Sequence, residues 1–169
     1  MPGDGTVSCP SREEGQGYDV RAYGFRGRGE GMARRVRPGD AGIAIVRMEH
    51  EGLKPAGGPV LVDGATGGVG SIALAALARV GYHVVALTGK ESESEWLKKL
   101  GAREILLRQP LNLEKLKPLD KSTWAGAVDS LGGEVLSWIC STMKDNGVIA
   151  SVGLAASMDR MGLAFDERA

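Results

Sequence analysis

The sequence predicts an α/β fold built around a doubly wound parallel sheet. Short β-branched runs alternate with apolar stretches of helical length between residues 59 and 153, which is typical of consecutive βαβ units. A glycine-rich turn joins the first of these runs to an alanine-rich helix. Aromatic residues make up 5% of the chain, whereas glycine occurs 26 times. This composition favours close packing of helices on a sheet over an aromatic-rich β-sandwich.

Five strands and three intervening helices are expected in this region. The predicted strands are residues 59–62, 83–87, 103–107, 124–129 and 147–152, and the predicted helices are 67–80, 92–100 and 133–143. Right-handed crossovers place such helices on both faces of a parallel sheet. Counting strands along the chain, we therefore expect the spatial order 3-2-1-4-5.

The two ends of the chain differ in composition from this central part. Residues 1–40 are rich in glycine and arginine and show neither helical nor strand periodicity, so we expect an irregular lead there. Residues 41–53 predict a helix with a glycine near its end. Residues 157–169 are expected to form a tail. The doubly wound domain is accordingly assigned to residues 41–156.

Charge and composition exclude several classes of function. The 21 basic and 21 acidic side chains balance, so no overall field would attract nucleic acid or anionic lipid. The two cysteines and two histidines form no metal-ligand spacing, and we expect no metal site. The sequence shows no signal-like start and no run of about 18 apolar residues. We therefore expect a cytoplasmic protein with no membrane partner.

The glycine-rich turn is the most informative motif. Its glycines Gly64, Gly67, Gly68 and Gly70 lie between a predicted strand and a predicted helix. Gly64 suits the tight turn off the strand, Gly67 and Gly68 bring backbone N–H groups close to a diphosphate, and Gly70 allows close packing. The motif predicts a Rossmann-type dinucleotide-binding unit, and the alternative is a glycine-rich turn without a ligand. The absence of GK[ST] after the glycines excludes a Walker A loop.

The end of the second predicted strand indicates which dinucleotide is bound. Units that bind NAD usually carry Asp or Glu there, because a carboxylate accepts from the ribose 2′-hydroxyl. This sequence has Thr88, Gly89 and Lys90 instead, which together donate to a 2′-phosphate. The predicted cofactor is therefore NADP(H). The alternative interpretation of Lys90 is an exposed lysine that flanks the next helix.

Two charged residues follow later strands of the predicted sheet. Arg108 follows the third strand and either stacks on an adenine face or is solvated. Asp129 ends the fourth strand. It either faces the same crevice or bonds a loop or helix start.

Longer stretches of the sequence resemble one known family. They are residues 59–73, GYHVVALTGKESE at 81–93, LKKLGA at 97–102, WAGAVD at 124–129 and VIASVGLA at 148–155. This combination is similar to the medium-chain dehydrogenase/reductase superfamily, in particular its zinc-free quinone-reductase-like branch and the acrylyl-CoA reductase (NADPH) group. The resemblance covers residues 41–156.

The resemblance implies an NADPH-dependent oxidoreductase that reduces an activated carbon–carbon double bond by hydride transfer. The substrate implied is an enoyl thioester or a quinone-like small molecule. The diphosphate contacts implied are Thr66, Gly67, Gly68 and Val69. The 2′-phosphate contacts implied are Thr88, Gly89 and Lys90, with further contacts at Arg108 and Val152.

The sequence departs from the family outside this region. Residues 1–40 match only pieces of the family's GroES-like substrate domain, and the match ends after Leu154. We therefore expect a truncated chain and assign no catalytic residue. The alternative function is a catalytically inactive NADPH-binding fragment or regulatory module.

Two further expectations follow from these comparisons of motif and fold. Without a sixth strand the far edge of the sheet would be open, and an open edge favours pairing, so a homodimer is possible.

A short-chain dehydrogenase also fits the spacing of Gly64, Gly68 and Gly70, but that class needs a YxxxK pair. No tyrosine of this chain is followed four residues later by lysine.

Overall fold

The computed structural model describes residues 21–24, 45–46, 48–109, 111 and 122–152. The strands are β1 (Arg21–Gly24), β2 (Val60–Val62), β3 (Val84–Thr88), β4 (Glu104–Leu107), β5 (Trp124–Asp129) and β6 (Met143–Ser151). The helices are α1 (Gly68–Arg79), α2 (Ser94–Leu100) and α3 (Gly133–Thr142). Short 3-10 turns span Pro55–Gly57 and Glu91–Glu93. Residues 45–46 and 48–50 are also helical.

The strands form one parallel sheet in the order β1-β6-β5-β2-β3-β4. The five strands predicted from the sequence correspond to β2 to β6, so the expected order 3-2-1-4-5 is confirmed. The chain leaves β2 towards β3 on one side and later returns through β5 on the other side. This reversal beside β2 is the point at which a doubly wound sheet opens a crevice at the carboxyl ends of its strands.

The helices lie on both faces of the sheet. Successive side chains of a strand point to opposite faces, so each strand packs against helices on both sides. In β2, the side chains of Val60 and Val62 pack in the cluster that contains Leu74 of α1 and Leu97 of α2. The side chain of Leu61 packs on the opposite face. That second cluster contains the α3 residues Val135, Leu136, Trp138 and Ile139. All three β2 residues are fully buried, which explains why the strand is a continuous apolar run rather than an alternating one.

The edge beside β6 differs from the sequence-based expectation. Residues Arg21–Gly24 form β1, which pairs in parallel with Val148–Ser151 of β6. The expectation of an irregular lead was therefore wrong for these four residues, and the far edge is not left open at β6. Four residues are too few to show a strand period in the sequence. This strand forms because the fold places it beside β6, which is far away in the chain. The rest of residues 1–40 and the tail at 157–169 lie outside the described residues.

The last strand also begins earlier than the sequence indicates. β6 starts at Met143, directly after α3, whereas the sequence predicts its start at residue 147. Trp124 of β5 pairs with Met143, but Gly126 pairs with Val148, so three additional residues of β6 are accommodated at this irregularity. Asn146 takes a positive φ of 60° here, a conformation that asparagine tolerates better than most residues.

A buried tyrosine forms hydrogen bonds with the segment before β2 and so holds that segment against the core. The hydroxyl of Tyr82 lies 3.2 Å from the carbonyl oxygen of Leu53 and 3.1 Å from Oε1 of Glu49. Burial, followed by the hydrogen bond to Glu49 and its charge, raises the pKa of Tyr82 to about 12. The phenol therefore remains a neutral hydrogen-bond donor across the physiological pH range.

None of the helices in the described part of the chain combines the length and apolar character needed to cross a membrane.

We predict that Tyr82→Phe lowers the free energy of unfolding by about 0.5–1.5 kcal/mol, because the Leu53 carbonyl oxygen loses a buried donor. The measurement is the midpoint of urea unfolding followed by circular dichroism. An unchanged midpoint would show that water replaces the phenol hydroxyl without cost.

Candidate functional site

A cleft of about 260 Å³ opens at the carboxyl edge of the sheet, next to the reversal at β2. The segments that line it all follow the carboxyl ends of parallel strands. The lining residues are Gly64, Thr66, Leu87, Thr88, Gly89, Lys90, Arg108 and Leu131. Thr66, Thr88, Gly89, Lys90 and Arg108 belong to the set predicted from the sequence. The structure thus brings together residues from four different strand ends.

The glycine turn holds α1 close against the end of β2. A Cβ atom at Gly70 would collide with the carbonyl oxygens of Asp63 and Gly64. Gly64 itself has a φ of 50°, and a Cβ there would collide with the Ser130 hydroxyl. The turn is closed by the Gly67 N–H, which donates to the Gly64 carbonyl at 2.7 Å. Side chains at these glycines would therefore push the helix or the neighbouring loop away.

The start of α1 fits a phosphate group. Its N-cap is Gly67, and no side chain caps the helix. Gly67 and Gly68 are exposed, and the space that a Cβ of Gly68 would enter is free of other atoms to 4 Å. Because the first N–H groups of a helix have no intrahelical acceptor, this end offers donors and a partial positive charge to an anion. Val69 belongs to the same first turn.

Two cations lie on the side of the cleft formed by β3 and β4. The Nη2 atom of Arg108 is 3.8 Å from where a Cβ of Gly89 would be, so its guanidinium group lies beside the residue that precedes Lys90. Both cations are exposed. No ion pair joins Lys90 or Arg108 to a carboxylate within the described residues. Two unneutralised cations at one cleft wall favour a ligand that carries negative charge.

Thr88 organises the backbone around these cations. Its side chain is buried, and its Oγ1 accepts the Lys90 N–H at 3.0 Å. Its carbonyl oxygen accepts the Arg108 N–H at 2.9 Å. Donation from the Thr88 hydroxyl to a 2′-phosphate stays a prediction. The acceptor role of this hydroxyl, which holds Lys90 in place, was not foreseen.

Of the predicted contact residues, Gly67, Gly68, Val69 and Val152 do not line this cleft. Val152 is the one of these four outside the glycine turn and α1. It follows β6, its N–H donates to the Asp129 carbonyl oxygen at 2.8 Å, and it packs against the core. β5 separates β6 from β2. A cofactor contact at Val152 remains a prediction for a ligand that extends along the carboxyl edge towards β6.

Two buried aspartates lie at the ends of β2 and β5. Asp129 accepts the Gly132 N–H at 2.9 Å and the Ser151 hydroxyl at 2.7 Å, so it bonds a loop and a neighbouring strand rather than facing the crevice. Asp63 accepts the Ser130 N–H. Burial, followed by the charge of Asp129, raises the pKa of Asp63 to about 8. Sequence reasoning missed Asp63, although an acid directly after a buried strand, with another acid ending the adjacent strand, was a readable signal.

No three His, Cys, Asp or Glu side chains lie together as potential metal ligands in the part of the chain that the structure describes. Independence from zinc stays a prediction, and no catalytic residue is assigned.

A family model described as zinc-binding dehydrogenase matches residues 68–167. The acrylyl-CoA reductase of Ruegeria pomeroyi is 45% identical over 113 residues, which make up 67% of this chain and 34% of that protein. A putative quinone oxidoreductase of Bacillus subtilis is 45% identical over 114 residues, 68% of this chain and 34% of that protein. The chain therefore spans about a third of the length of these relatives.

Two solved structures share the fold. An oxidoreductase from Salmonella enterica in complex with NADP has a TM-score of 0.67 at 40% identity, covering 72% of this chain and 37% of that one. A Bacillus subtilis protein with NAD bound has a TM-score of 0.68 at 41% identity, covering 74% of this chain and 38% of that one. The two similar structures thus hold different nicotinamide dinucleotides.

We predict that Gly70→Ala destabilises the chain by about 1–3 kcal/mol, because the added methyl group meets the backbone of β2 and cannot rotate away. Urea unfolding measures the effect. Gly68→Ala is the matched control, since its methyl group enters open space and we expect it to leave stability unchanged or slightly higher. Equal losses in the two variants would contradict the packing role assigned to Gly70.

Proposed function

Because the chain belongs to the zinc-binding dehydrogenase family, we propose that it binds NADP(H) in the cleft beside β2 and acts as an NADPH-dependent oxidoreductase. The observation that carries this proposal is a cleft lined by Gly64 and Thr66 of the turn before α1 and by Lys90 and Arg108, two cations that no carboxylate among the described residues pairs. A dinucleotide with an additional phosphate matches both features at once. Cytoplasmic location and a possible homodimer are part of the proposal.

In this proposal the diphosphate binds at the start of α1. Thr66 and Gly67 supply the turn, and Gly68 and Val69 supply the first N–H groups of the helix, because the Gly67 N–H already donates to the Gly64 carbonyl oxygen. The negative charge of the diphosphate is favoured there by the helix dipole. Gly70 has no ligand contact in this proposal, because it packs against β2.

The 2′-phosphate binds at the other wall of the cleft. Thr88, Gly89 and Lys90 donate to it, and the Arg108 guanidinium, which lies beside Gly89, adds a second positive charge. A carboxylate that accepts from the 2′-hydroxyl of NAD is missing from the lining residues. The chain should therefore prefer NADPH to NADH.

The proposed reaction is reduction of an activated carbon–carbon double bond in an enoyl thioester or a quinone-like small molecule. NADPH supplies the hydride when bound. The contribution of the described residues is to hold the dinucleotide in a fixed position, which is a large part of catalysis by hydride transfer. The names of the relatives, an acrylyl-CoA reductase and a putative quinone oxidoreductase, support this substrate class.

A second candidate function is NADPH binding without turnover. Of the described residues that line the cleft, Lys90 is the one typical general acid, and this proposal assigns it to the 2′-phosphate rather than to protonation of the enolate left by hydride addition. A regulatory or inactive nucleotide-binding module would have the same cleft.

We predict that Lys90→Ala weakens NADPH binding by roughly tenfold to a hundredfold, because a charged hydrogen bond contributes about 1.5–3 kcal/mol. NADH, which has no 2′-phosphate, should bind with an affinity within about twofold of the wild type. Calorimetric titration with both nucleotides measures the difference. Lys99→Ala, an exposed lysine on α2, is the control and should bind both nucleotides like the wild type. Equal weakening of NADPH and NADH by Lys90→Ala would refute the 2′-phosphate assignment.

We predict that the full chain oxidises NADPH in the presence of acrylyl-CoA or a quinone, monitored by absorbance at the nicotinamide band. NADPH binding by calorimetry without any turnover would support the second candidate instead. Failure to bind NADPH at all would overturn both functions.

A further inference from the structure

Two aspartates end the adjacent central strands directly before loops that shape the cleft. Asp63 immediately precedes Gly64, and Asp129 precedes Ser130 and Leu131; Gly64 and Leu131 line the cleft. Both aspartates have no solvent-exposed surface. We call them the carboxyl pair.

Hydrogen bonds from the carboxyl pair join three strand ends. Oδ1 of Asp63 accepts the Ser130 N–H at 2.6 Å and the Ser130 hydroxyl at 2.9 Å. Asp129 accepts the Gly132 N–H and the Ser151 hydroxyl. The ends of β2, β5 and β6 are therefore connected through side chains as well as through the sheet.

The Ser130 side chain also fixes the glycine turn. Its hydroxyl occupies the position that a Cβ of Gly64 would need. Asp63 thus holds Ser130, and Ser130 lies against the first residue of the turn that leads to α1. A change in the carboxyl of Asp63 would therefore reach the turn through Ser130, whose backbone N–H and hydroxyl both donate to it.

We propose that the carboxyl pair positions the nucleotide cleft. Asp63 orients the Gly64 turn and the start of α1 through Ser130, and one proton that Asp63 shares with Asp129 holds the two carboxyl groups together. This inference rests on the proposed function, because the cleft it positions is the proposed NADPH site.

The proton has a definite place in this arrangement. Both oxygens of Asp129 and one oxygen of Asp63 already accept hydrogen bonds, whereas Oδ2 of Asp63 is buried and no described donor reaches it. A proton on Oδ2 would donate to the Asp129 carboxylate, an interaction that contributes to the raised pKa of Asp63. Without it, two negative charges would be buried together, which is costly.

No other charged side chain relieves this repulsion in the described structure. β3 has no charged residue, and α1 has none before Arg79 at its far end. β6 contributes the neutral Ser151 hydroxyl, and Glu134 of α3 is exposed. The cations Lys90 and Arg108 line the cleft and are exposed.

The proton therefore couples pH to the cleft. The unfolded Asp63 carboxyl releases its proton near pH 3.8, but the folded chain keeps it until about pH 8. Between these values the folded state binds more protons at Asp63, so the contribution of this carboxyl to the free energy of unfolding falls as the pH rises towards about 8. Loss of the proton also adds a second negative charge close to the loop that receives the diphosphate, which weakens nucleotide binding.

The test is Asp63→Asn in the full chain, with NADPH binding measured by calorimetry at pH 7, 8 and 9. The asparagine oxygen still accepts from Ser130, and its amide donates to Asp129 at every pH. We expect the wild-type dissociation constant for NADPH to rise about tenfold between pH 7 and pH 9, because binding is weakened by the loss of one proton with a pKa of about 8. The variant should change by less than about twofold. Asp145→Asn, an exposed aspartate in β6, should follow the wild type.

Melting temperatures of the same proteins give an independent readout. The wild type and Asp145→Asn should melt at lower temperature at pH 9 than at pH 7, while Asp63→Asn should melt at nearly the same temperature at both. Asp129→Asn, which removes the neighbouring charge, should move the wild-type transition to lower pH. Parallel pH profiles for wild type and Asp63→Asn in both measurements would overturn the inference.

The two measurements separate this inference from the proposed function. A melting profile that depends on Asp63, with NADPH affinity independent of pH, would also overturn the positioning role and leave a structural pair. Absence of NADPH binding in every protein would overturn the proposed function and, with it, the positioning of a nucleotide.

Discussion

The close approach of α1 to the end of β2 is the contact on which the rest of the site depends. At Gly70 the helix backbone lies so near the Asp63 and Gly64 carbonyl groups that no side chain fits between them. The approach directs the first turn of α1 to the carboxyl edge and leaves Gly67 and Gly68 exposed. A helix that began farther from the sheet would turn its N–H donors into bulk water, where an anion gains little from them.

Charge is distributed around this contact in two layers. The exposed layer is cationic, with Lys90 and Arg108 lining the cleft. The buried layer is acidic, with Asp63 and Asp129 at the ends of adjacent strands. A phosphate group in the cleft would be attracted by the first layer and repelled by the second. Protonation of Asp63 removes one of the two buried charges, so the layers oppose each other least when the carboxyl pair holds its proton.

Membership of the zinc-binding dehydrogenase family fits a site that is built mostly from backbone. The turn at Gly64–Gly70 depends on backbone conformation and close packing rather than on side-chain contacts. The similar structures with NADP or with NAD share the fold around it. In the proposed function, discrimination between the two dinucleotides depends on a few side chains at or after the ends of β3 and β4. The family likeness therefore supports a nicotinamide dinucleotide in general, whereas the proposed preference for NADPH depends on Thr88, Lys90 and Arg108 in this chain.

The sequence by itself determined the local elements, the strand order and the glycine turn, because these depend on periodicity and on residue types that act within a few positions. The apolar run at Val60–Val62 and the absence of an acid at Thr88 were readable in this way. Tertiary structure alone decided the pairing of Arg21–Gly24 with β6, the place of the Arg108 guanidinium beside Gly89, and the contact between Asp63 and Ser130. Each of these joins segments that are far apart in the chain, and their pairing depends on how the sheet is assembled rather than on any local pattern.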